Sequence, residues 1–451
     1  MKIQFLGATQ TVTGSKYLIQ MNQIKILVDC GLFQGYKELR LRNWSPIPIN
    51  PTEINYILLT HAHIDHSGYI PLIVKNGFRG KIICTKATCE LSKILLPDSG
   101  YLQEEEAHYA NKKGYSKHHP AIPLYTKEDA ELALSYFQTI NLNERVELGK
   151  NLYATFYYAG HILGASSIKL EDQQTSILFS GDLGRPNDPI MKSPEPPPQA
   201  DYLVIESTYG DRLHETVDPE IQLGEIINRT VKRGGMVLIP AFAVGRTQML
   251  LYYIQQLKAK NKIPDLPIFV DSPMATNATE IFSRHALENR LTPAQCAAVC
   301  NVAQYIRTVD ESIAIATKKM PMILISASGM ATGGRVVHHI RTFAPNYKNT
   351  ILFTGFQAGG TRGDRIIRGE KEVKMFGQLV PIQAEVAQMG NLSAHVDYVE
   401  MLDWLSRLPN APKTIFITHG EKGAAQALKE KIEHKFHWNC VIPDYLDQHM
   451  L

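Results

Sequence analysis

Five stretches of the chain repeat one design: an apolar run rich in β-branched residues ends in an acid or a histidine, with glycine a few residues on. Ile24 to Val28 runs into Asp29, Ile57 to Thr60 into His61, and Ile177 to Gly181 into Asp182. Tyr202 to Ile205 runs into Glu206, and Thr414 to Thr418 into His419. Such runs predict buried strands, and the polar residue at each end predicts a site loop. Strands of one sheet would gather these ends along a single edge, where ligand-binding loops sit in layered α/β folds. Residues far apart in sequence are therefore expected to form one site.

Between the runs lie helical stretches, Gly68 to Asn76 stopped by Gly77, and Thr126 to Ile140 with Thr126 and Asp129 as N-cap and N3 acid. Alternating strands and helices place the chain in the α/β class. The six prolines between Pro186 and Pro198 deny ladder hydrogen bonds and predict an extended linker. Beyond Tyr209 a compact alternation restarts. Strands are predicted at Met236 to Pro240, Ile268 to Asp271, Met322 to Ser326 and Thr350 to Thr354, and helices at Gly245 to Lys260 and Arg335 to Phe343. This predicts a parallel-sheet domain over 209–380 inserted into a discontinuous first domain of 1–208 and 381–451.

With 451 residues, 44% hydrophobic and 20% charged, the chain can bury a large core and is neither fibrous nor disordered. Its formal charge of +3 leaves any nucleic-acid binding to local patches. The six cysteines contain no C-x-x-C pair. The opening MKIQFLGATQ reads without a signal peptide, so a reduced, cytoplasmic setting is expected. The longest apolar run, Met236 to Val244, is too short to span a bilayer, and no membrane partner is expected.

His61-Ala62-His63-Ile64-Asp65-His66 is the densest chemistry, directly after a predicted strand. In an extended turn residues i and i+2 point the same way. His61 and His63 can thus grip one cation while Asp65 and His66 turn toward a second. Imidazole and carboxylate donors without thiolate suit zinc, with manganese or iron as alternatives. Two metals need further ligands, and His161 between Gly160 and Gly164, and Asp182 in Ser180-Gly181-Asp182, are the candidates. Alone, His161 would read as a structural hydrogen-bond donor and Asp182 as a helix cap. Asp29 is expected to orient a ligand histidine from behind.

The order H-A-H-I-D-H, A-G-H, S-G-D resembles the metallo-β-lactamase superfamily, whose fold is an αββα sandwich with metals at one edge. Glu206 in E-S-T-Y-G-D, His395 in S-A-H-V-D and His419 in T-H-G-E resemble the extra motifs of the β-CASP nucleases, which include ribonuclease J and the pre-mRNA 3′-end cleavage endonuclease. The likeness spans essentially the whole chain and is strongest to short bacterial members. It implies an α/β metallo-β-lactamase αββα sandwich with an inserted β-CASP domain, whose mainly parallel sheet is flanked by helices. It also implies that His61, His63 and His161 hold one zinc, Asp65, His66 and His419 the other, and that Asp182 bridges them. His395 would be the general acid, with Glu206 hydrogen-bonded to it. Asp65, Glu206 and His395 are thus the residues expected to carry the reaction. His419 tilts the substrate from DNA toward RNA.

The resulting expectation is a two-zinc ribonuclease that cuts single-stranded RNA internally. A hydroxide shared by the metals would attack phosphorus, leaving 5′-phosphate and 3′-hydroxyl ends. Expected substrate contacts are Arg246, the loop of Ser328 and Gly329 with Arg335 behind it, Gln357 beside Phe356, and Ser393. For the glycine-rich loops and Phe356, packing is the competing reading. A 5′-exonuclease, a DNA nuclease, a small-molecule hydrolase and a non-catalytic RNA-processing subunit are the alternatives. The insertion disfavours the small-molecule hydrolase, and the retained ligands disfavour the non-catalytic subunit. Whether the chain forms a homodimer stays open.

Overall fold

The computed structural model describes residues 1–451 apart from 22, 115, 117, 150 and 356. The chain divides into two units, Met1–Leu213 with His395–Leu451, and His214–Ala394.

The first unit is built on two seven-stranded mixed sheets. Across one the order is Gln448–Met450, Lys2–Phe5, Tyr17–Met21, Ile24–Val28, Tyr56–Leu58, Lys81–Thr85 and Phe137–Ile140. Across the other it is Cys440–Val441, Thr414–Thr418, Tyr202–Glu206, Ser176–Phe179, Ser166–Glu171, Leu152–Tyr158 and Arg145–Gly149. The period-2 alternation of side chains sends Phe5, Ile19 and Ile26 from the first sheet and Phe156, Ile168 and Phe416 from the second into one shared core. Each such buried side chain contributes about 1.5–3 kcal/mol relative to exposure. Leu6, Leu18, Leu27 and Ile57, on the other face of the first sheet, receive Ile70, Ile73, Leu96 and Ala130 from the helices Ile70–Lys75, Lys86–Lys113 and Lys127–Leu134. Helix Lys422–Phe436 packs on strand Thr414–Thr418. The layering is the αββα sandwich implied by the sequence motifs.

Three expectations about the first unit change. The polar strand ends come from two sheets: Asp29 and His61 follow strands of the first, whereas Asp182, Glu206 and His419 belong to the second. They still converge, because the strands carrying them run parallel within each sheet and end at the same side. The helix starting at the Thr126/Asp129 capping box stops at Leu134, and Phe137–Ile140 is a strand parallel to Lys81–Thr85. Its β-branched Thr139 and Ile140 suit a sheet edge better than a helical turn. The proline-rich segment joins Ser176–Phe179 to Tyr202–Glu206 inside one sheet, so it is a surface excursion of the first unit rather than a linker between units.

In the second unit the strand order is Gln304–Tyr305, Ile268–Asp271, Ile323–Ser326, Val237–Pro240, Thr350–Thr354 and Glu385–Met389, all parallel. Parallel strands buried on both faces read as unbroken apolar runs, which is why Val237–Pro240 and Ile323–Ser326 are fully buried. Helix Arg335–Phe343 lays Val336, Val337, Ile340 and Phe343 on Leu238, Leu324, Ile351 and Phe353. Because Glu385–Met389 pairs along its length with Thr350–Thr354, the return to the first unit comes at His395, later than the expected 381. Among the described residues no helix is long and apolar enough to cross a membrane.

Candidate metal centre

Every candidate ligand sits in a segment that follows a strand, Asp65 and His66 on the short helix Ile64–Ser67 and the others on loops, and the backbone of these segments is cross-tied. Strand Ile24–Val28 delivers Asp29 at φ 59, in the left-handed region that aspartate tolerates. Its carboxylate accepts the Thr60 amide at 2.8 Å and the Thr60 hydroxyl at 2.9 Å, and meets His66 Nδ1 at 2.7 Å. Thr60 in turn approaches His61 Nδ1 at 3.0 Å, and its carbonyl accepts the Ser166 amide and hydroxyl, each at 3.0 Å. The histidine loop of the first sheet is thereby tied to a strand of the second. His419, at φ 48, donates its amide to the Ala8 carbonyl at 2.7 Å, and its Nδ1 lies 3.1 Å from the Thr208 hydroxyl.

Two glycines allow the loops to pack this tightly. A methyl group on Gly31 would stand 1.6 Å from the Asp65 carbonyl oxygen and 2.6 Å from the His66 nitrogen. One on Gly184 would stand 2.0 Å from the Gly160 oxygen and 2.6 Å from the His161 nitrogen. Both neighbours are backbone, so neither can move aside without shifting a candidate ligand.

The donor atoms form two adjoining sets. His61, His63, His161 and Asp182 offer atoms within 4.8 Å of one another, as do Asp65, His66 and His419. In the first set, His61 Nε2 and His161 Nε2 lie 3.2 and 3.3 Å from His63 Nδ1. In the second, His66 Nε2 lies 3.1 Å from His419 Nε2, and His419 Nε2 lies 3.3 Å from Asp65 Oδ2. Asp182 reaches both, with Oδ2 3.5 Å from His61 and 3.6 Å from His161, and Oδ1 3.3 Å from His66 and 3.6 Å from His419.

Burial pushes His61 and His161 well below the ordinary histidine range and His63 down to about 4, so these three rings are neutral near pH 7. Neutral ring nitrogens this close cannot each find a proton to share, and lone pairs converging on a common point are what a cation's ligand shell requires. The residues therefore fit a metal, and imidazole with carboxylate fits zinc. Against the opposing effect of burial, Asp182 and Asp29 hold His66 well above its usual value. Burial is likewise outweighed at Asp182, which His419, His66 and His61 keep well below the carboxylate range.

Beside these sets, Glu206 accepts the Leu183 amide at 2.7 Å through Oε1 and meets His395 Nδ1 at 2.9 Å through Oε2. A bridge between Gly184 and His395, and the Val396 amide on the Leu183 carbonyl at 3.0 Å, register the two segments. Burial lowers His395, but the Glu206 charge and hydrogen bond prevail, with Asp182 and Asp65, and raise it to about 9. Its ring centroid lies 4.5 Å from that of His161.

All nine of His61, His63, Asp65, His66, His161, Asp182, Glu206, His395 and His419 thus come together in the first unit, with Asp29 behind His66. The expected substrate residues lie in the second unit, where their polar groups are engaged in the fold. Arg335 pairs with buried Asp271 at 2.6 Å and reaches the Arg307 carbonyl at 2.9 Å. Arg246 is buried and donates to the Thr354 carbonyl at 2.9 Å, and Gln357 donates to the Gly329 carbonyl at 3.2 Å. Ser328 accepts the Thr332 amide at 3.1 Å, Gly329 abuts Phe242, and Ser393 is buried. Phe356 lies outside the described residues. Sequence reading missed Thr60 and Thr208, although Thr60 stands directly before His61.

Residues 18–195 match the metallo-beta-lactamase superfamily domain, 247–366 the Beta-Casp domain, and 379–443 the Zn-dependent metallo-hydrolase RNA specificity domain. The chain is 33% identical to Ribonuclease TTHA0252 of Thermus thermophilus over 95% of each chain. It is 30% identical to an RNase J-like protein of Methanocaldococcus jannaschii, over 93% of this chain and 92% of that one. It is also 30% identical to the transcription termination factor FttA of Methanosarcina mazei, over 96% of this chain and 69% of that one. A crystal structure of a protein of unknown function from Enterococcus faecalis V583 shares the fold, with a TM-score of 0.54 and 13% identity over 100% of this chain and 99% of that one. The chain belongs to the β-CASP ribonuclease family of metal-dependent hydrolases, within the metallo-β-lactamase superfamily.

Proposed function

We propose that this protein is a zinc-dependent ribonuclease that cuts phosphodiester bonds of single-stranded RNA internally and leaves 5′-phosphate and 3′-hydroxyl ends. The carrying observation is the Glu206–His395 pair, 2.9 Å apart, set against two adjoining donor sets that share Asp182. His61, His63 and His161 would hold one zinc, Asp65, His66 and His419 a second, and Asp182 would bridge. Zinc bound there would supply Lewis acidity and activate water at neutral pH.

The chain's own residues do the rest. Held by Glu206 through Nδ1, His395 is protonated near neutrality and keeps its Nε2 proton for the departing 3′-oxygen. Asp29 fixes the His66 ring so that Nε2 faces the donor set. RNA as substrate is supported by the names of the Thermus and Methanocaldococcus relatives and by the RNA specificity domain. A cytoplasmic setting is consistent with that substrate.

The test is a gel time course on one single-stranded RNA and its DNA equivalent, each labelled at the 5′ end, with and without zinc or chelator. Internal RNA fragments bearing 5′-phosphates, lost with chelator, are expected. His395→Ala should keep its metal and lose about 100- to 10,000-fold in turnover, whereas Asp182→Ala should lose metal. Products with 2′,3′-cyclic phosphate, immediate release of labelled mononucleotide, or preferential cleavage of DNA would each overturn a named part of the reading.

A further inference from the structure

We infer that the exposed segment Tyr36–Trp44 of the first unit is a landing surface for single-stranded RNA, an inference that rests on the ribonuclease reading above. Helix Lys37–Arg42 buries no residue, and its surroundings leave Tyr36 47%, Leu41 53% and Trp44 54% exposed. Large side chains so exposed on a helix without a core face ask for a partner. The same nine residues carry Lys37, Arg40 and Arg42 against Glu38 alone, a net 3 − 1 = +2 on a chain whose whole formal charge is +3. Three cations flanked by a Tyr and a Trp match what a single strand offers, phosphates along one side and flat base faces along the other.

The segment is held firmly although its helix is not buried. Buried Asn43 accepts the Phe33 amide at 2.9 Å and donates to the Phe33 carbonyl at 2.8 Å, closing the helix back onto the loop that precedes it. Phe33 is pinned in turn, with Lys16 Nζ 4.6 Å and the Arg42 guanidinium 5.5 Å from its ring centre, and Arg42 also lies 4.4 Å from the Tyr445 ring. The loop itself starts at Asp29, and its Cys30 and Leu32 amides bond to the carbonyls of His66 and Ile64 at 2.7 and 3.0 Å. The basic and aromatic surface is therefore registered, through a few backbone hydrogen bonds, on the loop that carries four candidate ligands. Charge decides the occupant: a second copy would bring the same positive segment against this one, whereas RNA brings phosphates.

The experiment uses the metal-loaded full chain and a single-stranded RNA of about 12 nucleotides, with stopped-flow mixing to read binding ahead of cleavage. Trp44 is the exposed tryptophan, and its emission should fall as a base stacks on it. Trp44→Phe should abolish the emission change while keeping the affinity, whereas Trp44→Ala should weaken binding about tenfold. Lys37→Ala with Arg40→Ala should lower the slope of log affinity against log salt by about 0.7 for each phosphate no longer neutralised. All these residues are surface-exposed, and matching melting curves and metal content confirm intact folds. If the wild type neither binds nor cuts RNA, the ribonuclease reading itself fails. If it cuts RNA but Trp44→Ala binds as tightly as wild type, with the salt slope unchanged in the double variant, this inference alone falls. Conversion of a dimer to a monomer by Trp44→Ala, or wild-type binding to anionic phosphatidylserine vesicles in preference to RNA, would also overturn it.

Discussion

Replacing Asp29 by Asn separates the role of charge behind the metal centre from the role of shape. Asp29 is buried and bonds Thr60 twice and His66 Nδ1 once, at 2.7 Å. Asparagine tolerates the left-handed backbone at φ 59 as well as aspartate does, so the turn should persist. Its oxygen can still accept the Thr60 amide, but its NH₂ group then faces His66 Nδ1. That donor needs a lone pair on Nδ1, so the ring proton moves to Nε2, the atom that faces His419 Nε2 at 3.1 Å and Asp182 at 3.3 Å. A protonated Nε2 cannot ligate. Loss of such a supporting carboxylate typically weakens a metal by 10- to 100-fold, or about 1.4–2.8 kcal/mol. On the two-zinc reading proposed above, equilibration against a graded chelator, followed by elemental analysis, should show one metal weakened by that factor and the other near wild type. An Asp29→Asn variant that holds every metal at wild-type affinity would refute the tautomer argument.

Gly31→Ala should cost about 1–3 kcal/mol of stability and strip metal, because the added methyl would stand 1.6 Å from the Asp65 carbonyl oxygen; melting and metal content together check it. Chelation should lower stability by about 3 kcal/mol for each metal that was present at a hundredfold over its Kd, read as a fall in the denaturant midpoint. Asp98 gives a pH signature away from the centre, since burial raises it from 3.8 to about 6. Between those values the native carboxyl holds a proton that the unfolded chain has released. Stability from this group is therefore full below pH 3.8 and is lost as pH rises through 6. Asp98→Asn should accordingly stabilise the protein at pH 7 by up to about 3 kcal/mol, with the gain vanishing near pH 4 in a series of urea titrations.

Much of the centre was legible because a strand followed by a polar residue and glycine is a local pattern. Asp29, His61, Asp182, Glu206 and His419 all lie at or just beyond strand ends, and four of the six parallel strands of the second unit fall within a residue of the predicted runs. What escaped depends on pairing between distant residues. Arg335 looked like a phosphate ligand at a helix start, but its partner Asp271 lies 64 positions away and no local pattern announces the pair. Glu385–Met389 carries two polar residues among five and lacks a strongly apolar signature, yet pairing with Thr350–Thr354 makes it part of the inserted sheet. Phe137–Ile140 continued an amphipathic helix in sequence and became a strand because the edge of Lys81–Thr85 was open to receive it. The assignment of the polar ends to two sheets follows from which strands pair, which side-chain periodicity does not encode.

The second donor set joins Asp65 and His66 to His419, partners separated by as many as 354 positions, with the whole inserted unit made between them. Synthesis runs from the N-terminus, so a chain emerging from a ribosome carries the His61–His66 loop long before it carries His419. Until residue 419 has been made, that set lacks one of its two imidazoles, and Glu206 lacks His395 until nearly as late. The order of synthesis thus leaves the complete constellation unassembled until the last part of the chain is made, and a polypeptide abandoned midway carries neither His395 nor His419.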